Sequence, residues 1–98
     1  INGGFFCRYS NLTSLKGAPN VVRGVFLCDY NNLTSLEGSP HTIHNDFYCS
    51  NNPLTSLEGM PKRIYGHLYL PLEIKDIFSI EYIRSLSEIR GMIRYIDI

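Results

Sequence analysis

Phe26-Leu27-Cys28-Asp29-Tyr30-Asn31-Asn32-Leu33-Thr34-Ser35-Leu36 is the stretch that organises the chain, because much of it recurs 21 residues away in both directions. Cys7, Cys28 and Cys49 share that spacing, as do the three Leu-Thr-Ser-Leu tetrapeptides beginning at Leu12, Leu33 and Leu54. Gly17, Gly38 and Gly59 follow in step, then Pro19, Pro40 and Pro61, then Val22, Ile43 and Ile64. Five columns in one register define a tandem repeat. A unit this short cannot bury its apolar side alone, so neighbours must stack, and roughly three units are the practical minimum.

Each unit can be read physically. The Phe-x-Cys segment alternates as a strand does, which turns Phe5, Cys7 and their equivalents inward and Phe6, Leu27, Tyr48 and Tyr69 outward. Asn31 and Asn52 stand where the chain leaves the strand, and their amides suit hydrogen bonds to backbone groups of the turn; both are structural in this reading. Ser10 holds that position in the first unit. The leucines of Leu-Thr-Ser-Leu point inward again, and Gly followed two places later by Pro marks the next bend. Val22, Ile43 and Ile64 close each unit.

The two ends differ. A fourth unit begins with Leu68 and Leu70 and is broken by Pro71 and Leu72. Beyond it, Phe78, Tyr82, Leu86, Ile89, Ile93 and Ile96 fall at spacings of four and three, which predicts an amphipathic helix over 78–96. Ser79 is its expected N-cap and Glu81 lies in its first turn, while Gly91 lies off the stripe and would kink it. The chain is thus expected to comprise a repeat array over 1–70 and a helical cap over 71–98. Ile1-Asn2-Gly3-Gly4 aligns with Val22-Arg23-Gly24-Val25, so the chain is expected to open inside the tail of an earlier repeat, as a piece of a longer array. Without one, the first strand leaves an open edge that invites a second copy.

The second unit is similar to the leucine-rich-repeat core L-x-L-x-x-N-x-L, through Phe26, Cys28, Asn31 and Leu33, and the third through Phe47, Cys49, Asn52 and Leu54. The run Asp46-Phe47-Tyr48-Cys49-Ser50-Asn51-Asn52-Pro53-Leu54-Thr55-Ser56-Leu57-Glu58-Gly59-Met60-Pro61 resembles a repeat of leucine-rich-repeat proteins encoded by large tailed bacteriophages and some bacteria. The resemblance spans residues 1–70. It implies an α/β solenoid, a right-handed leucine-rich-repeat coil with a short parallel strand column, to which the C-terminal capping helix is added. For function it implies only that the chain binds a partner; the expected function is a non-enzymatic protein-binding module, phage-encoded and acting on a host or phage protein. The alternative is a structural or oligomerisation segment of a larger phage particle or repeat protein, a homo-oligomer joined through its repeat ends.

Composition narrows the partner. Nine Lys and Arg balance nine Asp and Glu, and the split along the chain is even, five basic and four acidic side chains in 1–70 against four and five in 71–98. No basic segment calls for nucleic acid or an anionic membrane, and a protein partner is expected. No apolar run reaches the roughly 18 residues of a membrane span, and no signal-peptide pattern opens the chain. Three cysteines cannot all pair in disulfides, so a reducing, cytoplasmic setting is expected, that of the bacterial host cell for a phage product.

No residue pattern asks for a cofactor, a metal or catalysis. In-register Cys side chains read as small buried hydrophobes, without C-x-x-C spacing or a matched His column. His41, His44, Asp46 and Cys49 are close in sequence, but the histidines occupy variable positions shared with Asn20 and Lys62, and with Arg23 and Tyr65, whereas Cys49 faces inward. Glu37 and Glu58, aligned with Lys16, read as a solvated face rather than a calcium site, and the Asn-Leu-Thr sequons at Asn11 and Asn32 are products of the repeat. The outward strand face is the candidate site. It presents Gly4, Val25, Asp46 and His67 in one row, Phe6, Leu27, Tyr48 and Tyr69 in the next, and Arg8, Asp29 and Ser50 in a third. A contiguous apolar row rimmed by polar groups is what an interaction surface requires, with Phe6, Leu27, Tyr48 and Tyr69 as anchors and Arg8, Asp29, Asp46 and His67 setting orientation.

Overall fold

The computed structural model describes residues 3–96; Ile1 and Asn2, the aligned counterparts of Val22 and Arg23, lie outside the described residues, as do Asp97 and Ile98. Two parallel sheets and one helix form an α/β fold. The first sheet runs in the order β1 (Phe5–Phe6), β3 (Phe26–Leu27), β5 (Phe47–Tyr48), β7 (Leu68–Leu70) and β9 (Ile93–Tyr95). The second runs β2 (Val21–Val22), β4 (Thr42–Ile43), β6 (Arg63–Ile64) and β8 (Glu88–Ile89).

Strands of two residues have no stability of their own, and the 21-residue period supplies it by placing like residues side by side. Phe5, Phe26, Phe47 and Leu68 are register partners in succession, and so are Val22, Ile43, Ile64 and Ile89. Backbone bonds repeat with the same period: Phe5, Phe26 and Phe47 N–H donate at 2.9 Å to the carbonyls of Val25, Asp46 and His67. The expected strand column is therefore present. The Val22 column, expected only to close each unit, forms a second sheet.

The core lies between the sheets. Phe26, Phe47, Cys28, Cys49, Leu33, Leu36, Ile43 and Ile64 are fully buried, and the ring centroids of Phe5, Phe26 and Phe47 follow one another at 5.3 and 5.2 Å. Phe5, Cys7 and Leu12 of the first unit are only partly covered. The bend after each Leu-Thr-Ser-Leu is a β-turn in which Ala18, Ser39 and Met60 N–H donate back to Leu15, Leu36 and Leu57 carbonyls. Its third residue is Gly17, Gly38 or Gly59 at φ +92, +91 and +84°, the left-handed value that a type II turn demands at that position.

Residues 78–96 are not one helix. Helix α1 covers Ile80–Leu86, with Ser79 Oγ accepting the Tyr82 N–H at 3.1 Å and Glu81 in the first turn, as the sequence suggested. It ends at an extended Ser87, and β8 and β9 then extend both sheets. Both pair with their neighbours at an offset of 25 residues, Arg63 with Glu88 and Leu68 with Ile93. The fourth unit is thus completed rather than abandoned at Pro71. A 3-10 turn over Leu72–Asp76 and helix α1 take the place of the Leu-Thr-Ser-Leu arc. Ile89 and Ile93 fit a helical stripe and two inward strand positions equally well, and the unpaired edges of β6 and β7 decide for strands, since pairing satisfies backbone groups of both partners. Ile74, Ile83 and Ile89 join the core of the preceding units.

Candidate binding surface on the first sheet

The expected anchors do come together. Phe6, Leu27, Tyr48 and Tyr69 are successive register partners across β1, β3, β5 and β7, and the row continues to Arg94 on β9. Phe6 is 66 % exposed, whereas Leu27, Tyr48 and Tyr69 are half-buried against one another. The Tyr48 and Tyr69 rings stack at 4.1 Å with 12° between their planes, an arrangement that holds both aromatic side chains in fixed positions. The Tyr48 hydroxyl is pushed up to about 12, by burial first and then by its Tyr69 hydrogen bond and charge. Arg94 is absent from the sequence-based row because its segment was expected to be helical. The signal was present in Ile89-Arg90-Gly91, which repeats Val22-Arg23-Gly24 and carries the register on to Arg94.

The polar residues expected to orient a partner are mostly engaged within the protein. Asp29 is 3 % exposed and not outward; its Oδ2 accepts from Arg8 Nη2 at 3.0 Å, while Oδ1 has no hydrogen-bond partner among the described residues. Ser50, one unit on, is buried too, because this row lies where the chain turns from the strand toward the asparagine positions. Arg8 remains exposed and lies 5.6 and 5.7 Å from the rings of Tyr9 and Tyr30, which stack at 4.4 Å. Tyr9 and Tyr30 adopt φ of 55 and 59°, a left-handed conformation that their counterpart Asn51 tolerates better than a tyrosine. Sequence reasoning passed over this pair although both occupy one column of the repeat.

Asp46 and His67 brace adjacent units. Asp46 Oδ1 accepts the His67 N–H at 2.7 Å, and His67 Nδ1 accepts the Met92 N–H at 2.8 Å. Both are half-buried, and that row consumes polar side chains to satisfy strand N–H groups. Of the four expected orienting residues, Arg8 alone keeps its charge largely at the surface.

The cysteine column is structural in its contacts. The thiols of Cys7, Cys28 and Cys49 donate to the carbonyls of Leu27, Tyr48 and Tyr69 at 3.3, 3.2 and 3.2 Å, and all three are free. Burial, with Asp29 nearby, pushes Cys7 up to about 11 and Cys28 and Cys49 further still. His41 and His44 are exposed while Cys49 is fully buried, so Cys49 shares no pocket with either histidine. Among the described residues no three His, Cys, Asp or Glu side chains are placed to hold a metal ion, and no helix is long and apolar enough to cross a membrane.

The raised thiols make stability fall at alkaline pH. Unfolded thiols lose their protons near 9.0, while folded ones keep them. Their contribution is therefore fully present below pH 9 and is lost as pH rises toward and past the folded values. Each protected thiol costs about 1.4 kcal/mol per pH unit in that window. Urea midpoints should fall steeply between about pH 9 and about pH 11, and the Cys28→Ala/Cys49→Ala variant should show a visibly shallower slope. Equal slopes in the two proteins would show that the thiols do not govern the alkaline loss.

Compared with family models, curated proteins and solved structures, the chain matches none.

Proposed function

We propose that the chain is a non-enzymatic protein-binding module of leucine-rich-repeat type, a right-handed solenoid whose first sheet receives a protein partner. The observation that carries this reading is the continuous row Phe6, Leu27, Tyr48, Tyr69 and Arg94, in which an exposed phenylalanine and a leucine lead to two prestacked tyrosines and end at a cation. Rigid aromatic side chains and arginine are the groups that dominate protein interfaces. The reading extends to a phage-encoded protein acting on a host or phage protein in the bacterial cytoplasm; its support is the resemblance of Asp46–Pro61 to repeats of tailed bacteriophages and a set of three free thiols that suits a reducing compartment.

The test is affinity capture from bacterial lysate with wild-type protein and a Tyr48→Ala/Tyr69→Ala variant. A protein held by the wild type and lost from the variant supports the reading. With that protein in hand, Tyr48→Ala alone should weaken binding by at least about 1 kcal/mol while leaving the thermal midpoint within a few degrees. Equal capture by both proteins would move the interface elsewhere. A second reading, self-association, has its own support in Phe6 on β1, an apolar side chain left 66 % exposed. A molecular mass that rises with concentration and reverts with Phe6→Lys would favour it.

A further inference from the structure

The second sheet sorts its side chains strictly by face. Val22, Ile43, Ile64 and Ile89 are buried, and the residues on either side of them point to solvent or are half-covered. One outward row is Val21, Thr42, Arg63 and Glu88, in strand register. The next is Arg23, His44, Tyr65 and Arg90, aligned by N–H bonds from His44, Tyr65 and Arg90 to the carbonyls of Val22, Ile43 and Ile64. His41 and Lys62 flank them, tied by the Lys62 N–H to the His41 carbonyl at 2.9 Å.

Charge is concentrated here. Arg23, Lys62, Arg63 and Arg90 are four of the chain's nine Lys and Arg, joined by His41 and His44, whereas Glu88 is the one acid of nine on these rows. Glu88 is shared by Arg63 at 3.5 Å and Arg90 at 3.2 Å, and among the described residues neither Arg23 nor Lys62 is within ion-pair distance of a carboxylate. An even split of charge along the chain gave no hint of this face, because stacking gathers residues 21 to 25 positions apart onto one surface.

We propose that this face binds an acidic polypeptide segment, at a surface separate from the first-sheet row and independent of its function. Three features favour carboxylates on a peptide over a nucleic-acid backbone. His44 and Tyr65 stack at 4.9 Å and Arg90 covers Tyr65 at 4.9 Å, so the Tyr65 ring is already engaged by its neighbours rather than open to stack on a base. Glu88, between Arg63 and Arg90, offers an acceptor for the backbone N–H groups of a peptide, donors that a phosphodiester backbone lacks. The whole chain has zero net charge and so lacks the long-range field with which nucleic-acid-binding proteins collect a polyanion.

The test is fluorescence anisotropy of the purified chain with a labelled glutamate-rich dodecapeptide and with a labelled oligothymidine of equal charge. The peptide should bind, and its affinity should fall at least about tenfold between about 50 and about 300 mM salt. Arg23→Glu/Lys62→Glu should weaken it by a further factor of at least about ten, and Arg23→Gln/Lys62→Gln by less, whereas Tyr48→Ala should leave it unchanged. The two substituted positions are exposed, and the glutamine pair keeps the test readable if charge reversal disturbs folding. Absence of peptide binding at low salt, equal binding by wild type and the glutamine and glutamate pairs, or tighter binding of oligothymidine would each overturn the proposal.

Discussion

Asn52→Ala is expected to lower the unfolding free energy by about 3 kcal/mol or more. Asn52 is 5 % exposed and uses its whole amide on backbone. Oδ1 accepts the Leu33 N–H at 3.1 Å, and Nδ2 lies 3.2, 3.1 and 3.1 Å from the carbonyls of Cys28, Cys49 and Ser50. The side chain thereby ties its own turn to that of the preceding unit. Alanine strands those groups where water cannot replace the amide, and each buried unsatisfied group costs about 1–3 kcal/mol. Asn52→Asp should be no milder, because a carboxylate keeps the acceptor, loses both donors and faces three carbonyl oxygens. Asn31 makes the equivalent set, accepting from Ser10 and Leu12 N–H and donating to the Cys7, Cys28 and Asp29 carbonyls, so Asn31→Ala should fall in the same range. Urea unfolding with an unchanged m-value checks both. A loss below about 1 kcal/mol for Asn52→Ala would mean that the ladder does not couple neighbouring units.

The second large effect is Gly91→Ala, and its sign is diagnostic. In a helix over 78–96 the exchange would stabilise by up to about 1 kcal/mol, since alanine is the better helix former. In the structure Gly91 lies in the close-approach column with Gly24 and Gly66, and its N–H donates to the Gly66 carbonyl at 3.0 Å. An added Cβ would meet the Gly66 carbonyl oxygen and lie 2.6 Å from its carbon, both backbone atoms that have no rotamer with which to retreat. The fourth unit must then separate from the third. The expected outcome is a loss of at least about 2 kcal/mol, with amide-exchange protection lost first over β8 and β9. A gain in stability would contradict strand pairing in this segment. Because Arg94 lies on β9 and Arg90 directly follows β8, the same substitution should also disturb both proposed surfaces.

Gly91 shows where reading the sequence stopped short. The exact 21-residue period was enough to align Phe5, Phe26 and Phe47, to turn Cys7, Cys28 and Cys49 inward, and to assign Asn31 and Asn52 to backbone rather than chemistry. Those inferences needed only the repeat and the alternation of a strand. In the fourth unit the inserted 3-10 turn and helix shift the offset to 25, and two isoleucines four apart satisfy a helix and a pair of strands alike. Local pattern cannot separate those alternatives, and the unpaired edges of β6 and β7 do so only once the chain is assembled.

The binding surface divides in the same way. Which residues share a row was set by the sequence alone, because stacking at a constant period puts Phe6, Leu27, Tyr48 and Tyr69 in line whatever the details of each turn. What each side chain does there was decided by tertiary structure. Asp29 becomes a buried partner of Arg8, Asp46 and His67 serve strand N–H groups, and Arg23, Lys62, Arg63 and Arg90 converge on one face although no stretch of the chain is basic. The period of a repeat is a property of the sequence, but burial, hydrogen-bond partners and summed charge arise between residues 21 to 25 positions apart, and only the stacked units bring those residues into contact.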